Sequence, residues 1–116
     1  MHGPVSDFPA AGLSDLLGEI SRVVVGLNGR PPDGLAQEVL SGYAAQVRVL
    51  AAAKRAPNRL PRAIRSQLEF VAYGLQILAG EVPSHHGGDL TADLREVRQL
   101  LGACSRDADQ LNHPRQ

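Results

Sequence analysis

The densest gathering of residues able to do chemistry is a cationic block formed by Arg48, Lys54, Arg55, Arg59, Arg62 and Arg65, with no acidic residue between Glu38 and Glu69. Guanidinium groups hold several donors in one plane and grip phosphate bidentately, so arginines collected beside a helix start make an anion site. On that chemistry Lys54, Arg55, Arg59, Arg62 and Arg65 are expected to bind phosphate or nucleic-acid backbone. The simpler role is electrostatic: Lys54 and Arg55 offset the negative pole of the helix they end, and Arg62 and Arg65 are solvated. No aromatic residue interleaves with the block, which removes base stacking as a mode of single-strand binding.

Two histidines, His85 and His86, stand together in a glycine-rich stretch with Asp89 close by. Adjacent imidazoles can share a metal, but a site needs further convergent ligands, and the spacing supplies none. Neither HExxH nor a pair of ExxH motifs occurs, so zincin and di-iron chemistry have no basis, and no metal is expected. Near the end of the chain Arg106 is followed by His113. At a spacing of seven, the two lie on one helical face about two turns apart. That pair is similar to the Arg-x(4–6)-His element of HEPN ribonucleases, small helical bundles that usually dimerise. The resemblance implies RNA cleavage, with Arg106 holding phosphate and His113 polarising the attacking 2′-hydroxyl. It rests on two residues and the fold class, and His113 departs from the family pattern because Pro114 ends the helix beside it.

Cys104 is the only cysteine, which excludes an internal disulfide and suits a reducing compartment. It lies on an apolar helical series and is expected to pack as a small hydrophobe, not to react. No spacing of Ser, His and carboxylates suggests a hydrolase triad, and no glycine-rich phosphate or dinucleotide loop is present, so no cofactor is expected.

The elements that must position these residues are four helices. Apolar positions recur at alternating intervals of three and four. The series are Leu13, Leu16, Ile20, Val23, Leu27; then Ala36, Leu40, Tyr43, Val47, Leu50; then Ile64, Leu68, Val71, Leu75, Leu78; and last Leu90, Leu94, Val97, Leu101, Cys104, Ala108, Leu111. The punctuation agrees. Asp7 and Pro9 open the first helix, and Asn28-Gly29 stops it with a left-handed turn. Asp33 caps the second helix, which ends at Ala56-Pro57-Asn58, and Pro61 sits in the first turn of the third. Gly80 and Pro83 close the third helix, Ser84 to Gly88 forms a flexible connection, Asp89 caps the fourth, and Asn112 and Pro114 finish it. These signals predict helices near residues 8–27, 33–55, 60–79 and 90–112. With short connections they predict an all-α, up-down-up-down four-helix bundle. The 116 residues fit one domain, with residues 1–7 and 113–116 as flexible tails. Ile20, Val47, Val71, Leu75, Val97 and Leu101 are expected to share its core.

Composition narrows the function classes. Twelve basic residues balance twelve acidic ones, so no global field recruits nucleic acid or membrane. No apolar run is long enough to span a bilayer. The N-terminus lacks the pattern of a signal peptide, which points to the cytoplasm.

Two features strain a plain bundle. The third helix carries a second apolar stripe, Phe70, Tyr73 and Ile77, beside its core stripe, so it must bury more than one face. Each helix also holds an interior glycine (Gly18, Gly42, Gly74 and Gly102), at about 1 kcal/mol apiece relative to alanine. The expectation drawn is a non-catalytic interaction or scaffold module in which Phe70, Tyr73, Gly74 and Ile77 face a protein partner or a second copy of the chain. The competing functional expectations are a nucleic-acid-associated regulator using the basic block between the second and third helices, or a small ribonuclease of the HEPN kind. For the stripe itself, they are a loop from Glu81 to Gly88, or the Phe8 segment, folded over it, or an unusually central third helix.

Overall fold

The computed structural model describes residues 10–54 and 60–112. Four helices occupy them: α1 Ala10–Gly26, α2 Gly34–Ala52, α3 Arg62–Leu78 and α4 Leu90–Asn112. No strand occurs among the described residues. Asp7, Pro9, Arg55, the Ala56-Pro57-Asn58 stop, Arg59, His113 and Pro114 lie outside them.

The chain punctuates these helices by local hydrogen bonding. Asp33 caps α2, its carboxylate accepting from the Ala36 backbone N–H at 2.8 Å. Asp89 does the same for α4 through the Ala92 N–H at 3.3 Å. Each leaves one orphan donor of a helix start satisfied. Asn28 and Gly29 take positive φ of 57° and 78°, turning the chain off the end of α1. Gly80, at φ 79°, lets its own N–H and that of Glu81 fold back on the carbonyls of Ile77 and Gln76, closing α3. Pro61 stands one step earlier than the first turn, at the N-cap of α3, where its missing N–H is no loss.

Polar ties fix the direction of each helix. Ser14, early in α1, donates to Asp109, late in α4, and Gln67, early in α3, donates to Asp107. Ser41, early in α2, donates to Glu81 just beyond the end of α3. Neighbours therefore run antiparallel, and the helices alternate up and down. Close packing joins α2 to α3, α3 to α4 and α4 to α1, while α1 and α2, although consecutive, stay further apart.

The core contains all six expected residues: Ile20, Val47, Val71, Leu75, Val97 and Leu101. In α3 every member of the apolar series is buried. In α1 the phase differs from the expectation. Leu13, Leu17, Ile20 and Val24 are buried, and Leu16, Val23 and Leu27 pack only partly against them. The runs Leu16-Leu17 and Val23-Val24-Val25 offer two stripes one residue apart, and contact with α4 selects between them. In α2, Ala44 is buried where Tyr43 was expected, because the tyrosine hydroxyl turns outward to Glu19. Leu60, ahead of α3, adds an unanticipated core member. No helix among the described residues is long and apolar enough to cross a membrane.

Candidate interaction surfaces

The apolar circumference of α3 has mostly an internal explanation. This helix packs against both α2 and α4, so it needs two apolar flanks. Gly74, expected at a partner interface, is buried in the α3–α4 contact: a Cβ there would meet Val97 Cγ2 at 2.7 Å. Its close neighbour is a side chain of its own bundle. Tyr73 is half-buried, and the His85 ring stands edge-on to it with centroids 4.9 Å apart. Ile77 is half-buried as well. Only Phe70, 63% exposed, stands open.

The connection after α3, expected to be flexible, is tied to the bundle by side chains. Ser84 donates to the buried Asp93 at 2.9 Å, His86 pairs with Glu96 at 2.9 Å, and His85 covers part of Tyr73. The two histidines thus face different partners. Among the described residues no three of His, Cys, Asp and Glu come together as a metal site would need.

The cationic block is divided by the fold. Arg48 reaches from α2 to α3, where it pairs with Glu69 at 2.8 Å and hydrogen-bonds Gln76. Arg65 turns its Nε to the Leu60 carbonyl at 3.1 Å. Arg62 and Lys54 are exposed. A shallow cavity of about 240 Å³ lined by Ala51, Arg62, Arg65, Ser66 and Glu69 places an acid inside the intended anion site. Linear sequence put Glu69 at the edge of the block; helix pairing folds it back beside the arginines.

Arg106 is exposed on α4. Cys104 is fully buried, and desolvation, followed by the nearby Asp107 carboxylate, pushes its thiol up to about 11. That is opposite to the shift that makes a nucleophilic thiolate.

An open apolar face that the sequence pattern did not single out lies on α2. Leu35 is 72% exposed and Val49 70%, with Val39 between them also exposed. They belong to a second series, Leu35, Val39, Gly42, Gln46, Val49, offset from the buried Leu40, Ala44, Val47 and Leu50. The 4-3-4-3 spacing was available in the sequence, but Gly42 and Gln46 interrupt its apolar character. Charge is scarce here: Glu38 and Arg48 are the only charged residues of α2, and Arg48 is turned to α3. Beside this face runs a groove of about 500 Å³ lined by Gly12, Asp15, Leu16, Glu19, Gln46, Val49 and Leu50, where α1 and α2 stay apart. Tyr43 bridges it, donating to Glu19 at 3.3 Å, and burial together with that carboxylate raises the phenol pKa. Neither a protein-family model nor a curated protein or solved structure matches the chain.

Proposed function

We propose that this chain is a small non-catalytic helical interaction module. It docks a protein partner or a second copy of itself, acting as a homodimer or as a subunit of a larger assembly. The observation that carries the reading is the outer face of α2, where Leu35 and Val49 stand 72% and 70% exposed on a helix nearly devoid of charge. Large apolar side chains repeated along one open helix face, even with Gly42 and Gln46 between them, are the kind of surface that recognition sites use. The α1–α2 groove extends it, with Leu16 and Leu50 as an apolar floor and Asp15 and Glu19 as an acidic rim. A helix laid on this face would insert apolar anchors at three- and four-residue intervals and place basic residues against that rim. Phe70 is a separate, smaller contact point. The buried free Cys104 fits a cytoplasmic setting, where thiols stay reduced.

Sedimentation velocity on the wild type, on Leu35→Glu/Val49→Glu and on Phe70→Glu tests this, with circular dichroism as the folding control. Self-association, or co-purification of one defined partner, that is lost in the α2 double variant supports the reading. A wild type that is monomeric at the highest concentration reached, with no partner lost on α2 substitution, overturns it.

A further inference from the structure

All four acids of α4 are engaged: Asp93 with Ser84, Glu96 with His86, Asp107 with Gln67 and Asp109 with Ser14. Its three arginines are not. Arg95, Arg98 and Arg106 make no ion pair and no side-chain hydrogen bond among the described residues. Two of them, Arg95 and Arg98, line a pair of adjoining grooves between α1 and α4, of about 510 and 530 Å³, which also share Val25. The rest of the lining is neutral and rich in hydrogen-bonding groups: Ser21, Gln99 and Ser105 in one groove, Asn28 and Thr91 in the other. Among the described residues no carboxylate lines either groove.

The floor of the first groove is Gly102, and the guanidinium of Arg106 lies over it, 3.5 Å from where a Cβ would stand. On α1, Arg22 bends back over Gly18 in the same manner, at 3.8 Å. Two of the interior glycines thus sit beneath arginines on facing helices. Neither is demanded by the fold, because a methyl group at either would make only ordinary contacts.

We infer that the α1–α4 groove binds a small ligand carrying two or three linked phosphates. Guanidinium groups are matched to phosphate oxygens in geometry and remain charged at any physiological pH. Each groove falls within the range of small-molecule sites, about 300–1,000 Å³. Among the described residues no aromatic side chain lines them, so a nucleobase finds no stacking partner there and the phosphates carry recognition. Where Asn28, Gly29 and Thr91 line the groove, the carbonyl end of α1 meets the N-terminal end of α4, so the two helix poles offset and the arginines carry the recognition of charge.

Titration calorimetry with inorganic tripolyphosphate at low salt tests the site, using pyrophosphate and sulfate as shorter anions. Saturable binding is expected, strongest for tripolyphosphate and weakened about tenfold by Arg98→Gln or by Arg95→Gln, with Arg62→Gln unchanged. Both groove variants alter exposed side chains, and circular dichroism confirms their fold. Gly102→Ala is expected to weaken binding while raising the melting temperature. No binding by the wild type, or equal losses for Arg62→Gln and Arg98→Gln, overturns the assignment. So does a single-stranded oligonucleotide that binds through Arg95 and Arg98 where tripolyphosphate does not. The test is independent of the α2 face, since Leu35→Glu/Val49→Glu leaves the groove intact.

Discussion

Gly74 of α3 and Val97 of α4 fill one contact between them: a Cβ built on the glycine would stand 2.7 Å from Val97 Cγ2. That spacing is well inside van der Waals contact, so Val97 would have to leave its rotamer or one of the two helices would have to move. Gly74→Ala is therefore expected to destabilise by about 1–3 kcal/mol, outweighing its gain of about 1 kcal/mol in helix propensity. In a Val97→Ala background the same change should be far less harmful, because the obstructing methyls are gone. Chemical denaturation of the four proteins gives the coupling directly, and strict additivity would show that the contact is not what requires glycine.

Gly42 offers the opposite case. It lies on the exposed face of α2, and a Cβ there meets nothing within 4 Å. Gly42→Ala should stabilise by about 0.5–1 kcal/mol through helix propensity alone. If it also weakens association in the ultracentrifuge, the glycine serves the docking face, where a partner helix would come close.

The second stripe of α3 divides by burial. Phe70→Glu should change stability by no more than about 0.5 kcal/mol, since the ring is 63% exposed. Tyr73→Glu removes the edge-on contact with His85 and should cost about 1–2 kcal/mol. Equal effects at the two positions, read from thermal or urea unfolding, would contradict this division.

Leu75 and Leu101 are buried at the centre of the bundle. Truncation of either to alanine should cost about 2–5 kcal/mol, the range for buried leucines that leave a cavity. Urea unfolding followed by circular dichroism measures the loss.

Cys104 links stability to alkaline pH. Its thiol rises from an ordinary 9.0 to about 11 on folding, chiefly by burial. Between those values the unfolded chain loses a proton that the folded chain keeps, so stability falls as pH rises. The full effect amounts to about 2–3 kcal/mol and is complete above the folded value. The stability gap between wild type and Cys104→Ala should narrow over this window. A thiol reagent at pH 8 should react slowly with the native protein and rapidly once it is unfolded.

Much of the architecture was legible in consecutive residues. The series Ile64, Leu68, Val71, Leu75, Leu78 and the caps at Asp33 and Asp89 act over one or two turns, and all hold in the structure. Such signals suffice because a helix forms through contacts between residues three and four apart. Other features depended on groups far away in the chain. Which of two adjacent stripes α1 buries was settled by packing on α4, and that α3 needs apolar flanks for both α2 and α4 was invisible until those helices stood beside it. The same holds for charge. Arg48 is paired by Glu69, and the acids of α4 are held by Ser14, Gln67, Ser84 and His86, which leaves Arg95 and Arg98 without a partner among the described residues. Spacing sets which residues share a helix face. What covers that face, and which charges remain free on it, was decided by helices brought together from elsewhere in the sequence.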